Sequence, residues 1–105
     1  MTVEYIRYRL TAHTPDDLMS AYAAAGALLS AAPECRSFAL TQCEEEPTVF
    51  ILRIVWTSTR DHLEGFRKGP HFPPFFAAIR AFIGEIEEMR HYRPTAVSWT
   101  ADTDR

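Results

Sequence analysis

The sequence predicts an α+β domain in which two helices cover one face of a four-stranded antiparallel sheet. Four segments have the residue patterns of strands, one of them apolar on both faces, and two segments space their apolar residues as helices do. Their order is strand, helix, strand, strand, helix, strand, which is the split βαβ, or ferredoxin-like, arrangement. The 105 residues suit one core. We place a single domain at residues 1–100 and a C-terminal tail at 101–105.

The first strand and the first helix follow from local patterns. Thr2–Thr11 alternates, with Ile6, Tyr8 and Leu10 on one face. Thr14-Pro15-Asp16-Asp17 is a helix start, because threonine can cap, proline suits the first turn and aspartate suits the positive end of the helix dipole. Pro33 ends this helix. Its predicted buried stripe is Leu18, Tyr22, Ala25, Leu29 and Ala32.

Two strands follow, and the second is apolar on both faces. Cys35–Cys43 alternates up to the polar turn Glu44–Pro47, and Thr48–Trp56 is the strongest strand of the chain. Two helices can cover one sheet face only, so the second face of Thr48–Trp56 needs other cover. A second copy of the same sheet is the simplest cover. We therefore predict a homodimer that forms a dimeric α+β barrel.

The second half of the chain predicts two helices and a last strand. Ser58 can cap a short helix that offers Leu63 and Phe66 to the core and ends near Gly69-Pro70. Pro73-Pro74 opens the next helix, and Ile86 to about Val97 is the last strand. The predicted buried side of the second helix is Phe72, Phe75, Phe76, Ile79, Phe82 and Ile83.

Composition and charge exclude several classes of function. The net charge is −3 and there is no basic patch or stripe, which argues against nucleic-acid binding. No run reaches about 18 apolar residues, so no membrane span is predicted, and MTVEYIRYRL lacks the apolar run of a secretory signal. Cys35 and Cys43 lie eight residues apart in one strand, roughly 26 Å and too far for a disulfide. Free thiols indicate a reducing compartment, and we expect a cytoplasmic protein.

These residues resemble the antibiotic biosynthesis monooxygenase family. The βαββαβ order, the strand ending in Trp56-Thr57-Ser58 and the Gly69–Phe72 elbow carry the resemblance, which runs from about Val3 to Ala96. The runs Asp61–Arg67 and Glu87–Tyr92 are similar to quinol monooxygenase-like domains that accompany truncated haemoglobins.

The resemblance implies a dimer with a pocket between sheet and helices, and oxidation of small aromatic diols, quinols or anthrones by O₂. Members often act without metal or flavin, so no cofactor is expected. Other members degrade haem with a histidine in the second long helix, and Phe72–Gly84 contains none. Relatives also carry a Glu-Ala-His run where this chain has Glu64-Gly65-Phe66.

Four side chains are candidates for proton transfer or hydrogen bonding. His71 is the leading base, because it lies in the elbow between helices and histidine titrates near neutral pH. A surface histidine at the Pro73-Pro74 helix start is the alternative. His62 is a weaker candidate that could be simply exposed. His91 and Tyr92 alternate on the last strand, so one of them should face the pocket; Tyr92 is a candidate phenol donor.

Aromatic residues and one arginine complete the candidate site. Trp56, Phe66, Phe72 and Phe76 are candidate pocket walls. Core packing explains Trp56 at least as well, and it is the more usual role of phenylalanines at helical spacing. Arg53 is a charge in an apolar strand, and such a charge needs a partner or a ligand. A glutamate across the dimer is the favoured partner.

Three functions remain open from the sequence. The first is a cofactor-independent monooxygenase. The second is a non-enzymatic module that binds a small molecule or works beside a truncated haemoglobin. The third is haem binding through His71 or His91.

Overall fold

The computed structural model describes residues 1–102 and confirms the ferredoxin-like α+β fold. The strands are β1 (Thr2–Arg9), β2 (Cys35–Gln42), β3 (Val49–Trp56) and β4 (Ile86–Tyr92), in the antiparallel order β2-β3-β1-β4. Helix α1 is Pro15–Ala31 and α2 is Phe72–Ile79. A π-helical turn, Asp61–Phe66, precedes α2, and a 3₁₀ turn, Arg80–Glu85, follows it.

Helix α1 begins where its sequence predicts. The Thr14 hydroxyl accepts the Asp17 backbone N–H at 3.2 Å, and the Asp17 carboxylate accepts the Thr14 N–H at 2.9 Å. This reciprocal capping box satisfies two backbone donors that would otherwise lack partners. The predicted stripe is buried in full: Leu18, Tyr22, Ala25, Leu29 and Ala32.

The last strand is shorter than predicted. It ends at Tyr92 rather than Val97, because β4 pairs with β1 and that pairing ends at Val3↔Tyr92, one residue from the start of β1. Residues 93–102 have no regular secondary structure. Ala101 and Asp102 of the predicted tail are exposed, and its remaining residues, 103–105, lie outside the described residues.

Four side chains predicted to be buried are not fully so: Phe72 and Phe76 are half-buried, and two others are exposed. Leu63 is 38% exposed and Ile83 is 39% exposed. In the π-helical turn the Arg67 N–H donates to the His62 carbonyl, five residues back, at 3.0 Å. This wider turn directs His62 and Phe66 to the core, and Leu63 consequently points outward.

The second face of the sheet is partly exposed in the single chain. Val3, Val49 and Val55 are buried, whereas Tyr5 and Ile51 are 36% and 37% exposed. Dimerisation through this face therefore stays a prediction. No helix within residues 1–102 is long and apolar enough to cross a membrane.

Glu85 holds the loop between β1 and α1. Its Oε1 accepts backbone N–H bonds from Thr11, Ala12 and His13 at 2.7, 2.7 and 3.2 Å, and its Oε2 lies 2.7 Å from His13 Nδ1. Burial acts to raise the pKa of Glu85, but these bonds outweigh it and lower that pKa to about 2. The loop between β1 and α1 is thereby tied to the 3₁₀ turn.

Candidate active site at the end of an aromatic pocket

A pocket of about 210 Å³ lies between the helices and the covered face of the sheet. Phe66, Phe72, Phe75 and Phe76 line it on the helical side, and Trp56 lines it at the end of β3. The four phenylalanines contact one another at centroid distances of 5.5 to 6.4 Å. The walls are therefore a connected aromatic cluster, suited to a flat apolar ligand.

Three polar side chains, Glu4, His62 and His91, meet at one end of this pocket. We call them the Glu–His–His cluster. The His62 Nδ1 and His91 Nε2 atoms are 2.8 Å apart and share a hydrogen bond. The His62 Nε2 atom lies 3.7 Å from Glu4 Oε1. Glu4 and His62 are only 2% and 3% exposed.

The fold brings these residues together from distant parts of the chain. Glu4 lies on the β1 face that also carries Ile6 and Tyr8, so it points toward the helices. His91 is directly opposite Glu4 in the β1–β4 register and shares that face. His62 comes from the π-helical turn.

Trp56 holds two members of the cluster in place. Its Nε1–H donates to Glu4 Oε1 at 3.0 Å. Its ring stacks on the His62 imidazole with centroids 4.2 Å apart and an interplanar angle of 10°. Both contacts restrict the rotamers of the cluster, which is the preorganisation that a binding or catalytic site requires.

Burial shifts both buried titratable groups toward their neutral forms. Burial raises the pKa of Glu4, opposed by the Trp56 hydrogen bond and by the nearby His91 and Arg67. Burial lowers the pKa of His62 to about 3, and the nearby Arg67 and His91 act in the same direction. His62 is therefore neutral at pH 7, and its contact with Glu4 is not an ion pair. Arg67 also lines the pocket.

The other end of the pocket carries two tyrosines. The hydroxyls of Tyr8 and Tyr22 are hydrogen-bonded to each other, and both residues line the pocket. Burial raises the pKa of Tyr8 to about 12 and also raises that of Tyr22, so both phenols stay protonated at neutral pH. Tyr8 is four residues from Glu4 on β1, so the two polar ends are separated by roughly 13 Å of strand.

The structure brings together six of the nine candidate residues from the sequence. Trp56, His62, Phe66, Phe72 and Phe76 line the pocket, and His91 contacts His62. Their roles stay predictions.

The other three, His71, Tyr92 and Arg53, lie outside that lining. His71 is the residue before α2, where its side chain makes no capping hydrogen bond. Tyr92 lies on the opposite sheet face and donates its hydroxyl proton to Glu88 at 3.1 Å. Arg53 is also on that face, with its Nε 3.4 Å from the Tyr5 hydroxyl.

Sequence reasoning missed Glu4, Arg67 and the Tyr8–Tyr22 pair as site residues. A signal for Glu4 was present, since it is a carboxylate on the strand face that carries Ile6 and Tyr8. A charged residue on a core-facing strand position usually has a partner or a function. Arg67 and the tyrosines had no comparable signal.

The fold and the pocket define a ferredoxin-like α+β protein with an apolar site between sheet and helices. The sequence profile of the antibiotic biosynthesis monooxygenase family matches residues 1–78. The chain belongs to that family, which confirms the resemblance seen in its sequence. No curated protein matches the chain.

Solved structures share the fold at low sequence identity. A candidate antibiotic biosynthesis monooxygenase from Bordetella bronchiseptica is 20% identical, with 90% of this chain and 96% of that chain covered and a TM-score of 0.78. A second, from Chloroflexus aurantiacus J-10-fl, is 20% identical, with coverages of 93% and 96% and a TM-score of 0.70. SnoaB, a cofactor-independent oxygenase from Streptomyces nogalater, is 19% identical, with coverages of 96% and 98% and a TM-score of 0.66. At these identities the likeness concerns the fold alone.

Proposed function

We propose that this protein is a monooxygenase that oxidises a small aromatic diol or quinol with O₂ in the aromatic pocket, without a metal or flavin. The observation that carries the proposal is a buried carboxylate, Glu4, at the end of a pocket walled by aromatic rings. Membership of the monooxygenase family and the similarity to SnoaB, a cofactor-independent oxygenase, support it.

The overall reaction needs no external reductant. A hydroquinone and one O₂ give a hydroxyquinone and one water, so one oxygen atom enters the product and the other leaves as water. The substrate supplies all four electrons that reduce O₂. What the protein must supply is a group that removes a proton from the substrate, since the phenolate gives up electrons more readily than the phenol.

Glu4 is the proposed proton acceptor. Its raised pKa brings the carboxylate closer to the operating pH, where a general base works best, whereas His62 with a pKa of about 3 is a weak base. Arg67 lines the same pocket and provides a positive charge for the substrate anion. In this proposal His62 and His91 orient the substrate. Its ring is held by the aromatic walls of the pocket, Trp56, Phe66, Phe72 and Phe76.

The pocket volume favours substrates of one or two rings. A protein cavity of about 150 Å³ accommodates benzene. The 210 Å³ here leaves room for a second ring, and the three fused rings of an anthrone would extend through the open side of the pocket. Haem, with four pyrrole rings, exceeds this space by more, so the pocket does not favour the haem-binding alternative.

Oxygen uptake by chelator-treated protein tests the proposal. We expect uptake above buffer with one-ring and two-ring hydroquinones and less with anthrones. The Glu4→Gln variant should lose about 10²–10⁴-fold in kcat, the usual contribution of a general base. Glu64→Gln makes the same chemical change at an exposed helical position, where Glu64 pairs with Lys68, and it should match the wild type.

Two results would contradict the proposal. One is uptake by the wild-type protein no faster than in buffer across the whole panel. The other is a Glu4→Gln variant as fast as Glu64→Gln. Loss of activity in a His71→Gln variant with Glu4→Gln unaffected would return the base to the elbow between the helices.

We also propose a homodimer formed through the second sheet face. Tyr5, Ile51 and Tyr92 expose apolar surface there. In this proposal Arg53 pairs with a glutamate of the second copy. Sedimentation at micromolar concentration should give a dimer, and Ile51→Asp should give monomers with an intact fold. A wild-type monomer would contradict this.

The proposed compartment of this protein is the cytoplasm. The free thiols Cys35 and Cys43 are consistent with that compartment.

A further inference from the structure

We infer that the Glu–His–His cluster is a binding site for a divalent first-row transition metal ion. Glu4, His62 and His91 each offer one ligand atom, and these atoms all lie within 4.8 Å of one another. Such a site is independent of the proposed oxygenation, because it depends on the donor atoms and not on the reaction.

The donor set suits such an ion. Imidazole nitrogens prefer zinc, copper, iron and nickel, and two histidines with one carboxylate are a ligand set that leaves further coordination positions open. Each ligand comes from a different element: Glu4 from β1, His62 from the π-helical turn and His91 from β4. Two of the three are held by the backbone hydrogen bonds of one sheet, so their spacing is set by the fold.

The two histidine nitrogens lie near the spacing of neighbouring ligands of one metal ion. His62 Nδ1 and His91 Nε2 are 2.8 Å apart, because one hydrogen now joins them. Nitrogens bound about 2.1 Å from one ion are about 3.0 to 3.4 Å apart in octahedral or tetrahedral positions, so the rings must lose that hydrogen and separate slightly. Glu4 Oε1 lies 3.7 Å from the other His62 nitrogen, Nε2, so the carboxylate must turn toward Nδ1 to complete the site.

The surroundings orient the ligands as supporting residues do in known metal sites. Trp56 donates its indole N–H to Glu4 Oε1 and stacks on the His62 ring, so both ligands are held by one side chain. Such supporting contacts fix the orientation of metal-binding groups and tune their affinity. The remaining coordination positions would face the pocket, where an oxygen of a small aromatic ligand can reach the ion.

The other histidine–carboxylate pair of the described chain lacks these properties. His13 and Glu85 supply only two ligands, and the Glu85 carboxylate already accepts three backbone N–H bonds. The metal and the proposed base role exclude each other at any one moment, because both use the Glu4 carboxylate.

Cobalt titration of chelator-treated protein tests the inference. We expect calorimetry to give one Co²⁺ per chain, with a visible absorption spectrum whose intensity reports the coordination number of the bound ion. The indole N–H resonance of Trp56 should shift or broaden strongly in ¹H–¹⁵N spectra, because that group bonds to a ligand. Glu4→Gln and His91→Gln should each weaken binding at least about 10-fold, the lower end of what loss of a supporting contact costs, and His71→Gln should leave it unchanged.

Absence of Co²⁺ binding to the wild type would overturn the inference, as would equal affinity in the Glu4→Gln and His91→Gln variants and the wild type. Circular dichroism establishes that each variant is folded, and having two variants protects the test should one of them fail to fold. Oxygen uptake in metal-free protein is scored separately, so a failed oxygenase test and a failed metal test give different results.

Discussion

Replacing Glu85 by glutamine should destabilise the fold in a way that depends on pH. The carboxylate accepts three backbone N–H bonds from the β1–α1 loop and contacts His13. Glutamine keeps one oxygen but places an NH₂ group where Oε2 meets His13. The loop therefore loses its charged acceptor, while the apolar core beneath it is unchanged.

The size of the effect follows from the pKa of Glu85. A carboxyl whose pKa falls from 4.5 to about 2 on folding stabilises the folded state by up to about 3.4 kcal/mol. Its partner His13 is 31% exposed, so solvent screening reduces this limit, and we expect about 1–2 kcal/mol. Because the folded pKa is depressed, this stability is present above pH 4.5 and is lost as the pH falls through about 2.

Urea unfolding of the wild type and of Glu85→Gln between pH 7 and pH 2 measures the contribution of Glu85 to the free energy of unfolding. The protein concentration is kept fixed, because the stability of a dimer depends on concentration. The variant should be less stable at pH 7, and the difference should shrink as the pH falls below 4.5. Glu64→Gln is the matched control and should change stability by less than about 0.5 kcal/mol. A difference that stays constant down to pH 2 would refute the reasoning.

Three other substitutions test packing and the pocket. A Cβ on Gly26 would lie 2.5 Å from Phe38 Cζ. Gly26→Ala should therefore lower the free energy of unfolding by about 1–2 kcal/mol, despite the higher helix propensity of alanine, and a Phe38→Leu background should relieve this loss. An unchanged melting temperature would contradict this expectation. Tyr22→Phe leaves the buried Tyr8 hydroxyl without its partner and should cost about 1–3 kcal/mol in denaturant unfolding; a neutral result would mean that water replaces the lost bond. Phe72→Ala enlarges the pocket and should move the substrate preference in oxygen uptake from two-ring hydroquinones toward three-ring anthrones; an unchanged preference would mean that Phe72 does not limit size.

Local patterns in the sequence were sufficient for the elements of the fold. The capping signal at Thr14 and the apolar run of β3 each depend on neighbours a few residues away, and the structure contains the helix start and the strand where they were predicted. The helical stripe of α1 is buried for the same reason: its spacing matches one face of a helix. The end of β4 was wrong because a strand continues only as far as its partner does, and β1 begins at Thr2.

The aromatic part of the site could also be predicted, since Trp56, Phe66 and Phe72 lie in the segment where the sequence placed a pocket wall. The polar part could not. His62 is buried because a π-helical turn changes which residues face inward, and no short-range pattern in the sequence signals that turn.

By itself, the sequence determined the order of strands and helices, the apolar face of each and the family, because these depend on local periodicity and short motifs. Only the tertiary structure decided that Glu4, His62 and His91 meet. They are 58 and 29 residues apart along the chain, and the β1–β4 register places His91 opposite Glu4 while the turn after β3 brings His62 between the sheet and α2. Register and helix rotation are set by packing across the whole domain, which is why the chemistry of this site could not be read from any one segment.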